Sequence, residues 1–161
     1  MKTVIFSLCV LASLTFSSYA RIGETLEQCT QRYGKPVKTE RDGSITFSKS
    51  GYLIHIDFYQ GKAESIEFDK PDDTSDTGKP FSDDEIRLLL DLGSNGAHWK
   101  LSSKNNDFIL WNSEDGSLNA GYTVSSHYLT IQTTESVKRD TAEREAQEKS
   151  DLQKKLNLNG F

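Results

Sequence analysis

Apolar positions recur along this chain with two different periods, and the two alternate. Leu26, Cys29 and Tyr33 stand at i, i+3 and i+7, which places them on one face of a helix. Thr25 and Gln28 have the spacing of a capping box, in which hydroxyl and amide satisfy each other's orphan backbone N–H groups. Gly34 and Pro36 supply a cap and a stop, so the pattern predicts a helix from about Leu26 to Tyr33. Period-two alternation follows in Ser44 to Lys49, Tyr52 to Tyr59 and Ala63 to Asp69, the signature of a three-strand antiparallel meander. Ile54, Ile56 and Phe58 share one face, with Ile45, Phe47, Ile66 and Phe68 as natural partners. Gln60-Gly61 marks a turn. A strict two-residue turn there sets Ile66 opposite His55, on the wrong face, so a longer loop or a bulge near Glu64 is expected to restore register.

The same sequence of patterns then occurs a second time. Ser82 and Glu85 form another capping box, Phe81 and Ile86 occupy the positions of a hydrophobic staple, and Ile86, Leu89 and Leu90 face inward before Gly93 closes the helix. Trp99 to Ser102, Phe108 to Asn112, Leu118 to Val124 and Tyr128 to Thr133 read as strands, with Asp115-Gly116 as a hairpin turn. Their inner face is expected to carry Ile109, Trp111, Ala120, Tyr122, Leu129 and Ile131. Asp69 to Lys79, with its aspartates, proline and glycine, reads as an exposed linker. The fold class is therefore α+β, with two tandem helix-plus-antiparallel-sheet modules over residues 21–78 and 79–135.

Residues 136–161 change character. Acid-to-base pairs at i, i+4 (Asp140–Arg144, Glu145–Lys149, Asp151–Lys155) predict a charged, solvated C-terminal helix, each pair adding roughly 0.3 kcal/mol. Val137, Leu152, Leu156, Leu158 and Phe161 are too irregular for a long coiled-coil seam, although the last of them offer a way for the tail to lie on the sheet.

The first twenty residues form a further segment. A charged start at Met1-Lys2-Thr3, an apolar run from Val4 to Leu14 and the small residues of Ser18-Tyr19-Ala20 describe a secretory signal cleaved after Ala20. Export to the periplasm or the exterior is the expectation. That run is too short to span a bilayer, which takes about 20 residues, and Cys9 inside it is not placed for lipid attachment. No membrane span or lipid anchor is expected. Once Cys9 leaves with the signal, Cys29 is the lone cysteine, so no intramolecular disulfide forms. The whole chain has a net charge of −5, one unit more negative without Lys2. Such a balance argues against a nucleic-acid partner, which needs a basic face to displace phosphate counterions.

Ile22-Gly23-Glu24-Thr25, Cys29 and Tyr33-Gly34-Lys35-Pro36 resemble the helix motif of the SmpA/OmlA family of small outer-membrane assembly lipoproteins. Phe58-Tyr59-Gln60-Gly61-Lys62-Ala63 is similar to that family's closing hairpin, and the likeness covers Arg21 to Lys70. The tandem arrangement resembles the β-lactamase inhibitor proteins, which have two such modules and bind a partner on the sheet surface. The resemblance implies a protein-binding role. The second module lacks the Gly-x-Pro stop and the lipid-attachment cysteine is missing, so only helix and turn positions match and no family's functional residue is carried over.

Few residues invite chemistry. His55 and Asp57 project from one strand face and form the one pairing suited to base and orienter, or to two metal ligands, against the plainer reading of a wet sheet face. Cys29 on an inner helix face reads as a small hydrophobe. Asp69, Asp72, Asp73 and Asp76 miss the alternate-ligand spacing of a calcium loop. No catalytic set, metal site or cofactor is assigned. A sheet covered on one side leaves Leu53, His55, Asp57 and Tyr59 facing out, an aromatic and polar mixture suited to binding protein. The expectation is an exported, non-catalytic protein-binding or scaffolding module. A hydrolase or metal-dependent activity at His55 and Asp57, and a structural envelope protein without a discrete site, stand as alternatives.

Overall fold

The computed structural model describes residues 21–74 and 77–158, with side chains to residue 156. The signal expected at 1–20 and the terminal Phe161 lie outside the described residues. Helix α1 spans Leu26–Tyr33, and strands β1 (Lys38–Thr39), β2 (Ile45–Lys49), β3 (Tyr52–Tyr59) and β4 (Lys62–Asp69) follow it. Helix α2 spans Asp83–Gly93, succeeded by β5 (Trp99–Lys104), β6 (Phe108–Ser113), β7 (Leu118–Thr123), β8 (Tyr128–Thr133) and α3 (Thr134–Leu158). Both expected capping boxes are closed, Thr25 with Gln28 and Ser82 with Glu85. The fold is α+β.

All eight strands form one antiparallel sheet in the order β1-β2-β3-β4-β8-β7-β6-β5. Each run of strands is a meander, and the last strand of one pairs with the last strand of the other, Ser65 with Gln132 through Phe68 with Leu129. Residues 21–78 and 79–135 thus supply two halves of one sheet. They also share one core, in which Cys29 and Tyr33 of α1 and Ile86, Leu89 and Leu90 of α2 pack with Phe47, Ile54, Ile56, Ile66, Phe68, Ala120, Tyr122, Leu129 and Ile131. Phe81 bridges the halves, stacking on Tyr52 of β3 at 5.9 Å and meeting Tyr122 of β7 edge-on at 5.8 Å. At Gly93 the end of α2 comes so close to the sheet that a Cβ there would lie 2.6 Å from Ile131 Cδ1 and 3.5 Å from Phe68 Cε2.

The turn after β3 shows how register is set. Gln60 and Gly61 both have positive φ, 49° and 76°, the combination a two-residue type I′ turn requires. Tyr59 faces Lys62 and Phe58 faces Ala63, but Asp57 faces Ser65, so Glu64 is the extra residue of a bulge. Ile66 then lies opposite Ile56 and the apolar face stays inside. Of the two devices the sequence allowed, the bulge is the one present.

Several boundaries differ from the sequence pattern. β1 is a two-residue edge strand with both side chains exposed, too short to leave a periodic signal. β5 runs on to Lys104 because Ser102 is bulged between Leu101 and Ser103, which keeps Leu101 beside Trp111 and Lys104 beside Ile109. The C-terminal helix docks through its first turns, where Ser136 is buried and Arg139 pairs with Glu64, and its later Leu152 and Leu156 are 59% and 63% exposed. On this arm Asp151 pairs with Lys154 at 3.5 Å, one position short of the expected Lys155.

Candidate functional site

Both α1 and α2 belong to the core on one side of the sheet, so side chains that alternate with the core residues emerge on the other. Leu53, His55, Asp57 and Tyr59 do emerge there, between the buried Ile54, Ile56 and the half-buried Phe58. The strand registers add neighbours that sequence alone left unconnected. One row across the sheet reads Thr46, His55, Glu67, Thr130, Gly121, Leu110. The next reads Asp57, Ser65, Gln132, Asn119, Asn112, Lys100.

The first row is linked by hydrogen bonds at its polar end. Thr46 Oγ1 lies 2.9 Å from His55 Nδ1, and Thr130 Oγ1 donates to Glu67 Oε2 at 3.5 Å. Partial burial pushes the Glu67 carboxyl above its ordinary range, opposed by the imidazole of His55 and the Thr130 hydroxyl. Asp57 is raised as well, chiefly by desolvation and then by Asp42, with Ser65 stabilising its charged form and Glu64 and Asp140 adding repulsion. Two carboxylates thus stand on this face in settings that disfavour their charge. At the far end the row turns apolar: Leu110, 40% exposed, leans over Gly121, where a Cβ would come 3.2 Å from Leu110 Cδ2. Phe108, two residues away on the same side of β6, is 45% exposed.

Tyr59 is more engaged than its place on the strand suggested. The Arg139 guanidinium lies 3.9 Å above its ring and also pairs with Glu64 at the bulge. The first turns of α3 therefore cap the Tyr59 end of the face, and Asn119 Nδ2 donates to Thr134 Oγ1 at 2.9 Å where that helix begins.

His55 and Asp57 each engage a hydroxyl on a neighbouring strand, Thr46 and Ser65. Among the described residues, no three histidine, cysteine or carboxylate side chains are grouped to hold a metal ion. A groove of about 200 Å³ lies away from His55 and Asp57, between α2 and the β5–β6 edge, lined by apolar Ile86, Leu90, Leu101, Ile109 and Trp111 and by charged Asp83, Arg87 and Lys104. Cys29 is fully buried in α1, and desolvation, with Glu24 nearby, pushes its thiol up to about 12. In the linker Asp72 caps Thr74 in a local turn, and Lys79 N–H closes the loop on Lys70 O at 2.7 Å, while Asp76 lies outside the described residues.

Glu67, Thr130, Gln132 and Leu110 were missed as members of this face. Alternation in β4, β6 and β8 marks each of them as outward-facing, but the pairing of β4 with β8, more than sixty residues apart, has no local signal. No protein-family model matches the chain, and no curated protein does. Among solved structures it is similar to a cysteine-rich secretory protein of Staphylococcus aureus, at 12% identity and a TM-score of 0.45, over 72% of this chain and 46% of that one. The chain thus spans less than half of that neighbour's length. Among the described residues, no helix is long and apolar enough to cross a membrane.

Proposed function

We propose that this chain is an exported, non-catalytic protein-binding module of the bacterial envelope or its exterior, and that its partner sits on the sheet face opposite α1 and α2. The observation that carries the reading is the composition of that face: hydrogen-bonded polar groups at His55, Glu67 and Thr130 beside the exposed apolar pair Leu110 and Phe108. Protein interfaces combine an apolar and aromatic centre with satisfied polar groups around it. Carboxylates whose charge is disfavoured, the exposed Asp57 and the half-buried Glu67, fit the same reading, since binding surfaces retain groups that do not favour stability. The resemblance of residues 21–70 to the SmpA/OmlA helix motif, and of the tandem pattern to the β-lactamase inhibitor proteins, supports a binding rather than a catalytic role. Leu53, His55, Asp57 and Tyr59 remain the proposed contact residues on β3, with Tyr59 sharing its ring with Arg139.

A photo-crosslinking side chain placed at Thr130 or Leu110, and at Leu88 on the outer side of α2 as a control, tests this in envelope extract. A discrete protein adduct from the first two positions and none from Leu88 is the expected result. Adducts from all three positions alike, or from none, would contradict it.

A further inference from the structure

The first described residues are fastened where the two halves of the sheet meet. Ile22 N–H donates to Gly93 O at the end of α2 (3.0 Å), Gly23 N–H to Ala63 O on β4 (2.7 Å), and Ala63 N–H returns a bond to Glu24 O (2.8 Å). These bonds hold Arg21 in a tight turn: its carbonyl accepts from Glu24 N–H at 3.1 Å, and its own nitrogen lies 3.4 Å from Glu24 Oε2. The same carboxylate, with only 12% of its side chain exposed, also receives the Arg32 guanidinium. A second source of negative potential lies close by. The last turn of α2 contains no basic residue, so the partial charge of its terminal carbonyls, one of which already holds Ile22, has no cation of its own helix to balance it.

We infer that removal of the leader between Ala20 and Arg21 completes the fold, by converting the Arg21 amide into an α-ammonium that pairs with Glu24 and the carbonyl end of α2. The inference rests on the export reading. Hydrolysis adds one water across the Ala20–Arg21 peptide bond, leaving the new carboxylate on Ala20 and the amine, protonated at neutral pH, on Arg21. The N–H facing the carboxylate, already charge-assisted on the acceptor side, becomes an ion pair in which both partners are charged and Coulombic attraction is added. The uncleaved chain has only the neutral amide at that contact and is the less stable form.

The groups facing the new ammonium can be named element by element. Glu24 attracts it; Arg32 of α1 and the guanidinium of Arg21 itself oppose; the Cys29 thiol, pushed up to about 12, is neutral. Gly93 of α2 and Ala63 of β4 present backbone. Attraction raises the amine above its ordinary value of about 7.7. The added stability is then fully present below that value and is lost as pH rises through the raised one.

The test uses the exported chain, its first residue read by mass spectrometry, beside a variant with one alanine inserted between Ala20 and Arg21, which moves the amine about 3.8 Å along the chain. At about pH 6.5 the chain beginning at Arg21 is expected to melt at least about 2 °C higher, the gap closing near pH 10 and in Glu24→Gln. Equal melting temperatures at about pH 6.5, or a gap unchanged by Glu24→Gln, would overturn the inference. Where Glu24→Gln fails to fold, titration of the ¹⁵N-labelled α-amine replaces it: a midpoint above about 7.7 supports the pairing and a midpoint at that value overturns it. A first residue other than Arg21 overturns the cleavage reading itself, separately from the stability comparison.

Discussion

Gly93 gives the sharpest stability test, because two opposing terms meet there. Replacing it by alanine adds a Cβ at the last residue of α2, where the gain in helix propensity is at most about 1 kcal/mol. The new atom would lie 2.6 Å from Ile131 Cδ1, closer than any real contact allows, and 3.5 Å from Phe68 Cε2. Ile131 and Phe68 are both fully buried, so the methyl can retreat only by leaving its rotamer or pushing the helix outward. Overpacking of that kind costs about 1–3 kcal/mol. Gly93→Ala is therefore expected to destabilise by about 1 kcal/mol net, lowering Tm by about 3 °C. The companion change Ile131→Val removes the clashing Cδ1 and alone costs about 0.5–1.5 kcal/mol. Measured by urea unfolding, the double mutant is expected to lose about 1 kcal/mol less than the two single costs summed. A Gly93→Ala protein as stable as the parent, or costs that add within about 0.5 kcal/mol, would refute the claim that α2 is seated on the β4–β8 seam.

Three further outcomes follow from the same contacts. Arg139→Ala removes both the stacking on Tyr59 and the pairing with Glu64, and is expected to lower Tm and to speed amide exchange in the first turns of α3; exchange that does not change would show that other contacts hold the helix. Glu85, held down to about 2 by the Lys70 ammonium first and then by the Ser82 backbone N–H, has a depressed pKa, so its contribution is present above its ordinary 4.5 and is lost as pH falls toward about 2. The Tm gap between parent and Glu85→Gln is expected to shrink over that interval, and a gap that widens on acidification would reverse the assignment. Cys29, with its thiol pushed up to about 12 and fully buried, is expected to react with thiol reagents only as fast as the protein opens; rapid labelling of the native chain would contradict its place in the core.

Much of this architecture is written in local pattern. Both capping boxes, and the need for a longer loop or a bulge near Glu64, follow from spacings within a few residues, and these are the signals a sequence carries most directly. The joining of two meanders into one sheet is not written that way. It depends on the match of Ile66 and Phe68 to Ile131 and Leu129, a pairing between strands with similar apolar alternation and no turn between them to fix it. The candidate site divides along the same line. Leu53, His55, Asp57 and Tyr59 are consecutive outward positions of one strand and were legible as such, whereas Glu67, Thr130 and Leu110 join them only through cross-strand register. Arg139 reaches Tyr59 from a helix whose charge pattern reads as uniformly solvated, because a single guanidinium on an aromatic ring leaves no periodic trace.

The most direct measurement is whether a partner depends on the open face. Tagged protein carrying Thr130→Arg or Leu110→Asp, each placed on that face, is compared with Leu88→Asp on the opposite side for retention of the partner captured from envelope extract, after circular dichroism shows that all three fold. The expected result is one stoichiometric partner kept by the parent and by Leu88→Asp and lost from the other two. A partner retained undiminished by Thr130→Arg and Leu110→Asp would contradict the proposal that the sheet face is where this protein binds.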